Sequence, residues 1–236
     1  MLRRAAALLI TATFLLGGCA AQRTAEDDRA VRSVGVISLL NESTPVRHFG
    51  LTVFNNHPAN VEQGGKLKQV VGETVKQRLN STRPQWTVKL DDTDPGALID
   101  KNRNLAAVEN FAPKHAKDLA AIAQRLDADL LFVLLDSTGQ NHPGQGVGIT
   151  FRAVSNDPDT VSVHSFITLY VIDRNGKELI RRGAINGNPL RVSNSALGLR
   201  SDMSTLNDPK VRDSVSLTLT NHLKAAVEES MTRAGY

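Results

Sequence analysis

The sequence predicts an α/β chain: a mixed, partly antiparallel sheet of about six or seven strands, with amphipathic helices packed mainly on one face. Three observations carry this expectation. In the first half, short apolar runs rich in β-branched residues alternate with two segments of helical periodicity. The second half turns to longer strands, two of them joined around Asn175-Gly176, the strongest short hairpin signal. The chain closes on a helical pattern opened by Asp208-Pro209, an N-cap followed by proline at the first helical position.

Taken in order, the run 33–40 (Val34, Val36, Ile37, Leu39, Leu40) reads as a buried first strand ended by Asn41-Glu42-Ser43. The second run, Phe49-Gly50-Leu51-Thr52-Val53-Phe54, either pairs with the first as a hairpin or forms a short edge strand. Residues 64–80 keep Leu67, Val70, Val71, Val75 and Leu79 on one face, which predicts a helix stopped before Pro84. Residues 86–90 alternate apolar and polar, as a strand does. Asp94-Pro95 opens a short helix, and residues 113–127 a firmer one with Leu119, Ala123 and Leu126 inward. The continuous apolar run 130–135 suits a strand buried on both faces. After a Gly-rich loop at 139–148 come strands at 147–154, 160–173 and 178–186. Residues 187–206 are polar and irregular, with one helical turn near Ala196. At 208–235, Val215, Leu217 and Leu219 alternate like a strand, but Val211, Val215, Leu219, Leu223, Val227 and Met231 recur every four residues, and helix wins.

Bulk properties set limits on function. The chain of 236 residues is 41% hydrophobic and 22% charged, ordinary for a globular protein. Its net charge of +4 gathers in no basic stripe, and aromatic residues make up only 4%, so nucleic-acid binding is not indicated. The single cysteine allows no internal disulfide.

That cysteine ends a distinctive opening. Arg3 and Arg4 precede an uncharged apolar run, 5–16, which ends in Leu16-Gly17-Gly18-Cys19. The stretch resembles the lipobox of bacterial lipoproteins. The resemblance implies cleavage between Gly18 and Cys19, a lipid on Cys19 and acylation of the new N-terminus. More than one acyl chain is needed for stable anchoring. The apolar run is too short to span a bilayer, which takes about 20 residues. The domain organisation expected is therefore a signal peptide at 1–18, a lipidated N-terminus and polar tether at 19–32, and a single periplasmic α/β domain at 33–236. Ala20, rather than Asp, follows the cysteine, which favours outer-membrane sorting by the same resemblance.

Motifs that could carry chemistry stand in contexts that do not suit it. Gly144-Gln145-Gly146-Val147-Gly148 leads into a strand, so no helix N-terminus would face a phosphate. Asp91-Asp92-Thr93-Asp94 lacks the spacing and closing Glu of a calcium loop and suits the capping of a following helix. His48, His57, His115, His142, His164 and His222 make no metal-binding spacing, and no G-x-S-x-G elbow occurs. No catalytic, cofactor or metal residues are therefore expected, although scattered Ser, His and Asp could converge in space. The order of strands and helices, with Ala-Gln-Arg-Leu-Asp-Ala-Asp-Leu-Leu-Phe-Val before the buried strand and a strand ending Tyr170-Val171-Ile172-Asp173, resembles the α/β domain of envelope lipoproteins of the curli-secretion and LpoB type. It is also similar to the N-terminal domain of the TolB protein. The resemblance covers about residues 33–186 and the last helix. The anchor, the polar tether and the absent catalytic signature point to a membrane-anchored accessory protein that binds the bilayer through Cys19 and an envelope protein, with the long connections at 41–63, 137–148 and 187–206 as its candidate contact surfaces. Two other readings are a self-assembling secretion or transport component and, third, a periplasmic hydrolase.

Overall fold

Ten strands among the described residues divide between two five-stranded sheets, where the sequence suggested one. The structure is a computed structural model that describes residues 25–49, 57–92, 110–139, 144–152, 159–183 and 189–236. By contacts the chain forms two units, Met1–Val31 and Arg32–Tyr236. The first contributes a short helix, α1 (Ala25–Ala30). In the second follow β1 (Ser33–Leu39), β2 (Ser43–Phe49), β3 (His57–Glu62), α2 (Lys66–Thr82), β4 (Thr87–Leu90), α3 (Phe111–Lys114), α4 (Ala116–Arg125), β5 (Leu130–Asp136) and β6 (Val147–Arg152). Then come β7 (Thr160–Ser165), β8 (Ile167–Asp173), β9 (Glu178–Gly183), β10 (Leu190–Ser193), α5 (Asn194–Leu197), a 3₁₀ turn (Ser204–Asn207) and α6 (Pro209–Arg233).

The first sheet has the order β4-β1-β5-β8-β9 and the second β10-β7-β6-β2-β3. β4 and β5 run parallel to β1, while β8 and β9 are antiparallel. Three strands run on from one sheet to the other: β1 into β2, β5 into β6, and β7 into β8. An excursion between Ser137 and Gly146, closed by a Thr138–Gln145 bridge, breaks the ladder between β5 and β6. Phe166 lies opposite this excursion, donating its N–H to the Gly146 carbonyl and accepting from Ser137 N–H. The run 160–173 is thus interrupted by its partner, not by its own sequence. Its side-chain alternation passes the break unchanged.

Period-two alternation assigns the faces of the first sheet. Ile37, Leu39, Leu131, Val133, Leu135, Tyr170 and Ile172 form a core with Phe111, Leu119 and Ile122 of α3 and α4. On the opposite face lie α2 and α6, packed side by side. Lys66 Nζ lies 3.4 Å from Ser216 Oγ at one end and Arg78 Nη2 lies 3.2 Å from Thr232 Oγ1 at the other. Tyr236 folds back under this face, its ring 4.9 Å from Phe132 and 5.9 Å from Trp86. With helices on both faces, all seven residues of β5 are buried, as a continuous apolar run requires.

α6 spans 25 residues and begins as its sequence predicts, with the Asp208 carboxylate accepting from Lys210 N–H at 2.9 Å. The expected helix at 113–127 divides at His115 into α3 and α4. The β8–β9 turn is the expected Asn-Gly hairpin; Gly176 has φ +84°, and a Cβ there would clash with the Ala116 carbonyl oxygen. Some expectations change. Residues 43–49 and 57–62 form β2 and β3 rather than parts of a connection, and residues 190–193 form β10 rather than irregular chain, while α5 is the helical turn expected near Ala196. Residues 50–54 of the second apolar run and the helix expected after Asp94-Pro95 lie outside the described residues. Among the described residues no helix is long and apolar enough to cross a membrane.

Candidate functional site

The turn after β1 places Glu42 against the start of α2. Its carboxylate accepts from the N–H groups of Gly65, Leu67 and Lys68 at 3.1, 3.3 and 2.8 Å, taking the role of an N-cap from 23 residues away. A carboxylate there also meets the positive end of the helix dipole. Beside it opens a cleft of about 290 Å³, lined by Val36 and Ser38 of β1, by Gly65, Lys68, Gln69 and Gly72 of α2, and by Leu90, Asp91 and Asp92. Asp91 is buried and bound by Arg125 Nη2 at 2.8 and 3.0 Å. Asp92 is exposed and pairs with Lys68 Nζ at 3.2 Å.

A second recess, of about 200 Å³, lies at the junction of the sheets, lined by Asn41, Ser43, Pro45, Arg47, Asn60, Asp136, Gln145, Gly146 and Val147. The buried Asp136 accepts from Asn41 N–H at 3.0 Å. Gly146, at φ +58°, leaves room for that carboxylate, since a Cβ there would stand 2.6 Å from Asp136 Oδ1. The glycine loop therefore accommodates a side chain of its own chain and leads into β6, as the strand context predicted.

Two polar links tie α6 to the second sheet. Ser216 Oγ donates to Gln63 Oε1 at 2.7 Å, and Gln63 Nε2 donates to Thr44 Oγ1 at 2.9 Å. One and a half turns on, His222 Nδ1 meets Ser165 Oγ at 2.9 Å. Burial holds the His222 pKa below the ordinary histidine value. Nucleophilic catalysis asks for a reachable hydroxyl and a carboxylate that orients the histidine. Ser165 is only 2% exposed, and among the described residues no carboxylate pairs with His222. The pair works as a packing contact between helix and sheet.

The remaining sequence candidates disperse. His48 faces Phe151 across β2 and β6, with ring centroids 6.2 Å apart, and His57 stands opposite His48 in the β2–β3 register. His115 joins α3 to α4 with Nδ1 3.6 Å from Asp118, and His164 stacks on Phe166 at 5.1 Å. Asp91 and Asp92 point to different partners rather than to one ion. Among the described residues, no three His, Cys, Asp or Glu side chains gather around a common point. His142, Thr93, Asp94, Gly18 and Cys19 lie outside the described residues. Sequence reasoning missed Glu42, Ser38 and Lys68. The available signal was Glu42 between a strand and Gly64-Gly65, two glycines that admit a carboxylate from outside the helix.

The three connections singled out in the sequence have a common address. Residues 41–63 hold β2 and β3, residues 137–148 hold the excursion before β6, and residues 187–206 hold β10 and α5. All of these strands belong to the second sheet, and β3 and β10 are its two edges. One face of that sheet carries Val46, Ile149 and Val163 toward α6. The other carries the row Arg47, Thr150, Ser162 and Arg191, in which the two arginines are exposed and Thr150 is buried.

No protein-family model matches the chain, and no curated protein matches it. Among solved structures, it is similar to the lipoprotein GNA1162 from Neisseria meningitidis. The match has 17% sequence identity and a TM-score of 0.28, and covers 66% of this chain and 86% of that one.

Proposed function

We propose that the chain is a bacterial envelope lipoprotein, held by acylated Cys19 at the outer membrane, whose periplasmic domain is a non-catalytic accessory that binds another envelope protein through the second sheet. The anchor is supported by Leu16-Gly17-Gly18-Cys19, its basic start and the lack of a second cysteine in the sequence. The observation that carries the binding role is the convergence of all three long connections on one sheet, where they supply both edge strands. Edge strands offer unpaired backbone groups to a partner, and long connections on a rigid scaffold commonly carry contacts.

Affinity capture of the full chain from detergent-solubilised envelopes tests this reading. A specific partner should be recovered with the wild type and lost on charge reversal of the polar face, Arg47→Glu with Arg191→Glu. Recovery of no stable partner contradicts it. The same two edges support a second reading, self-assembly, because β10 of one copy can meet β3 of the next in a closing ring. Size-exclusion light scattering separates the two: a ring favours self-assembly, and a strict monomer removes it.

A further inference from the structure

We propose that the cleft between α2 and β4 binds a small zwitterion with an apolar side chain, of which L-leucine is the simple representative. The cleft lies outside the carboxyl ends of the parallel strands β1 and β4, the position at which open α/β sheets take ligands. Its volume of about 290 Å³ is at the small end for ligand pockets, which run from about 300 to 1,000 Å³. A single amino acid is on that scale.

The lining changes character along the cleft. At one end Val36 and Leu90 are register partners, and Gly72 leaves the helix bare beside them, with a Cβ position 3.1 Å from Leu90 Cδ1. Leu90 is 49% exposed, so an apolar side chain seated there would remove hydrocarbon from water. At the other end stand Ser38, Lys68 and Asp92. Ser38 is 4% exposed, and its hydroxyl, on the cleft wall, has no hydrogen-bond partner among the described residues. Leaving a buried hydroxyl unpaired is costly, and a polar ligand head would satisfy it.

Charge selects the head group. Lys68 and Asp92 pair across the mouth at 3.2 Å with the Asp92 carboxylate fully in water. An exposed pair of this kind contributes little to stability and exchanges partners readily. One cation and one anion are the complement of a carboxylate and an ammonium on the same small molecule. The neighbouring charges are committed: Asp91 is held by Arg125, and Glu42 occupies the first N–H groups of α2. The ligand carboxylate therefore goes to Lys68 rather than to the helix N-terminus, and the ammonium goes to Asp92.

Isothermal titration calorimetry of the purified full-length protein with L-leucine tests the proposal. Saturable binding is expected. 4-Methylpentanoate, which lacks the ammonium, leucinamide, which lacks the carboxylate, and glycine, which lacks the side chain, should each bind at least about tenfold more weakly. Lys68→Gln and Ser38→Ala should each weaken L-leucine by about tenfold while circular dichroism stays unchanged. Lys68 is on the surface, so its variant reports binding even where Gly72→Ala, which would narrow the cleft, perturbs α2. The proposal is overturned by absence of heat and of thermal stabilisation at about 10 mM L-leucine. It is equally overturned by binding that both variants leave unchanged, or by leucinamide or 4-methylpentanoate binding as tightly as leucine.

Discussion

The two sheets share three through-running strands yet are stabilised differently. The first is covered on both faces, by α2 and α6 on one side and α3 and α4 on the other, and β5 at its centre is buried along its whole length. The second packs Val46, Ile149 and Val163 toward α6, fixes that helix by Ser216–Gln63 and His222–Ser165, and turns a polar row the other way. A single helix thus rests on both halves, bonded to the second by Ser216 and His222 and to the first by Arg233, whose Nη1 donates to the Gly183 carbonyl of β9 at 2.9 Å. The difference is one of cover: the first sheet is buried between two helix layers, whereas the second leaves Arg47 and Arg191 exposed on the face away from α6.

Matched truncations should show the largest effect. Leu131→Ala in the first sheet is expected near the top of the about 2–5 kcal/mol range for such core deletions, because helices on both faces keep the cavity from closing. Ile149→Ala in the second should fall near the bottom of the same range. Denaturant unfolding followed by circular dichroism measures both, and equal losses would erase the distinction. Next, Gly176→Ala should cost at least about 2 kcal/mol, since backbone on α4 blocks the new Cβ and φ is positive. A neutral result there would mean that the β8–β9 turn is not seated against α4.

Smaller effects probe the joints. Glu42→Ala should cost about 1–2 kcal/mol by freeing three helix N–H groups. Glu42→Gln should recover part of that loss, with the dipole contribution missing. The smallest effect is the pH response of the second sheet. Burial lowers the folded-state pKa of His222, so the unfolded chain binds the proton more tightly. The associated stability is complete above the unfolded value of about 6.5 and declines as pH falls toward the folded one. His222→Gln should flatten that slope below about pH 6.5 relative to wild type. An unchanged slope would assign the acid sensitivity to other groups.

Much of the fold could be read from local chemistry. Asp208-Pro209 announces α6, Asn175-Gly176 the last hairpin, and the run from Leu130 a strand buried on both sides. The division into two sheets could not be read, because the 160–173 run alternates without a flaw; its break is imposed by an excursion in a neighbouring strand about 20 residues earlier. β3 was hidden because His57-Pro58-Ala59-Asn60 carries no apolar alternation and takes its place as an edge beside β2. The cleft was hidden for another reason. Ser38 lies within an apolar strand, Lys68 on a helix face and Asp92 in an acidic run, and only the parallel β1–β4 crossover brings them together.

The most direct test of the proposed envelope role is mass spectrometry of the N-terminal peptide from membranes of the native host. The expected species begins at Cys19 and carries a thioether-linked diacylglyceryl group and an acylated amine, and Cys19→Ser should abolish it and release the domain from the membrane fraction. A native chain that begins at Met1, or that stays membrane-bound with Ser at position 19, would contradict the anchor and with it the reading of the whole molecule as a lipoprotein.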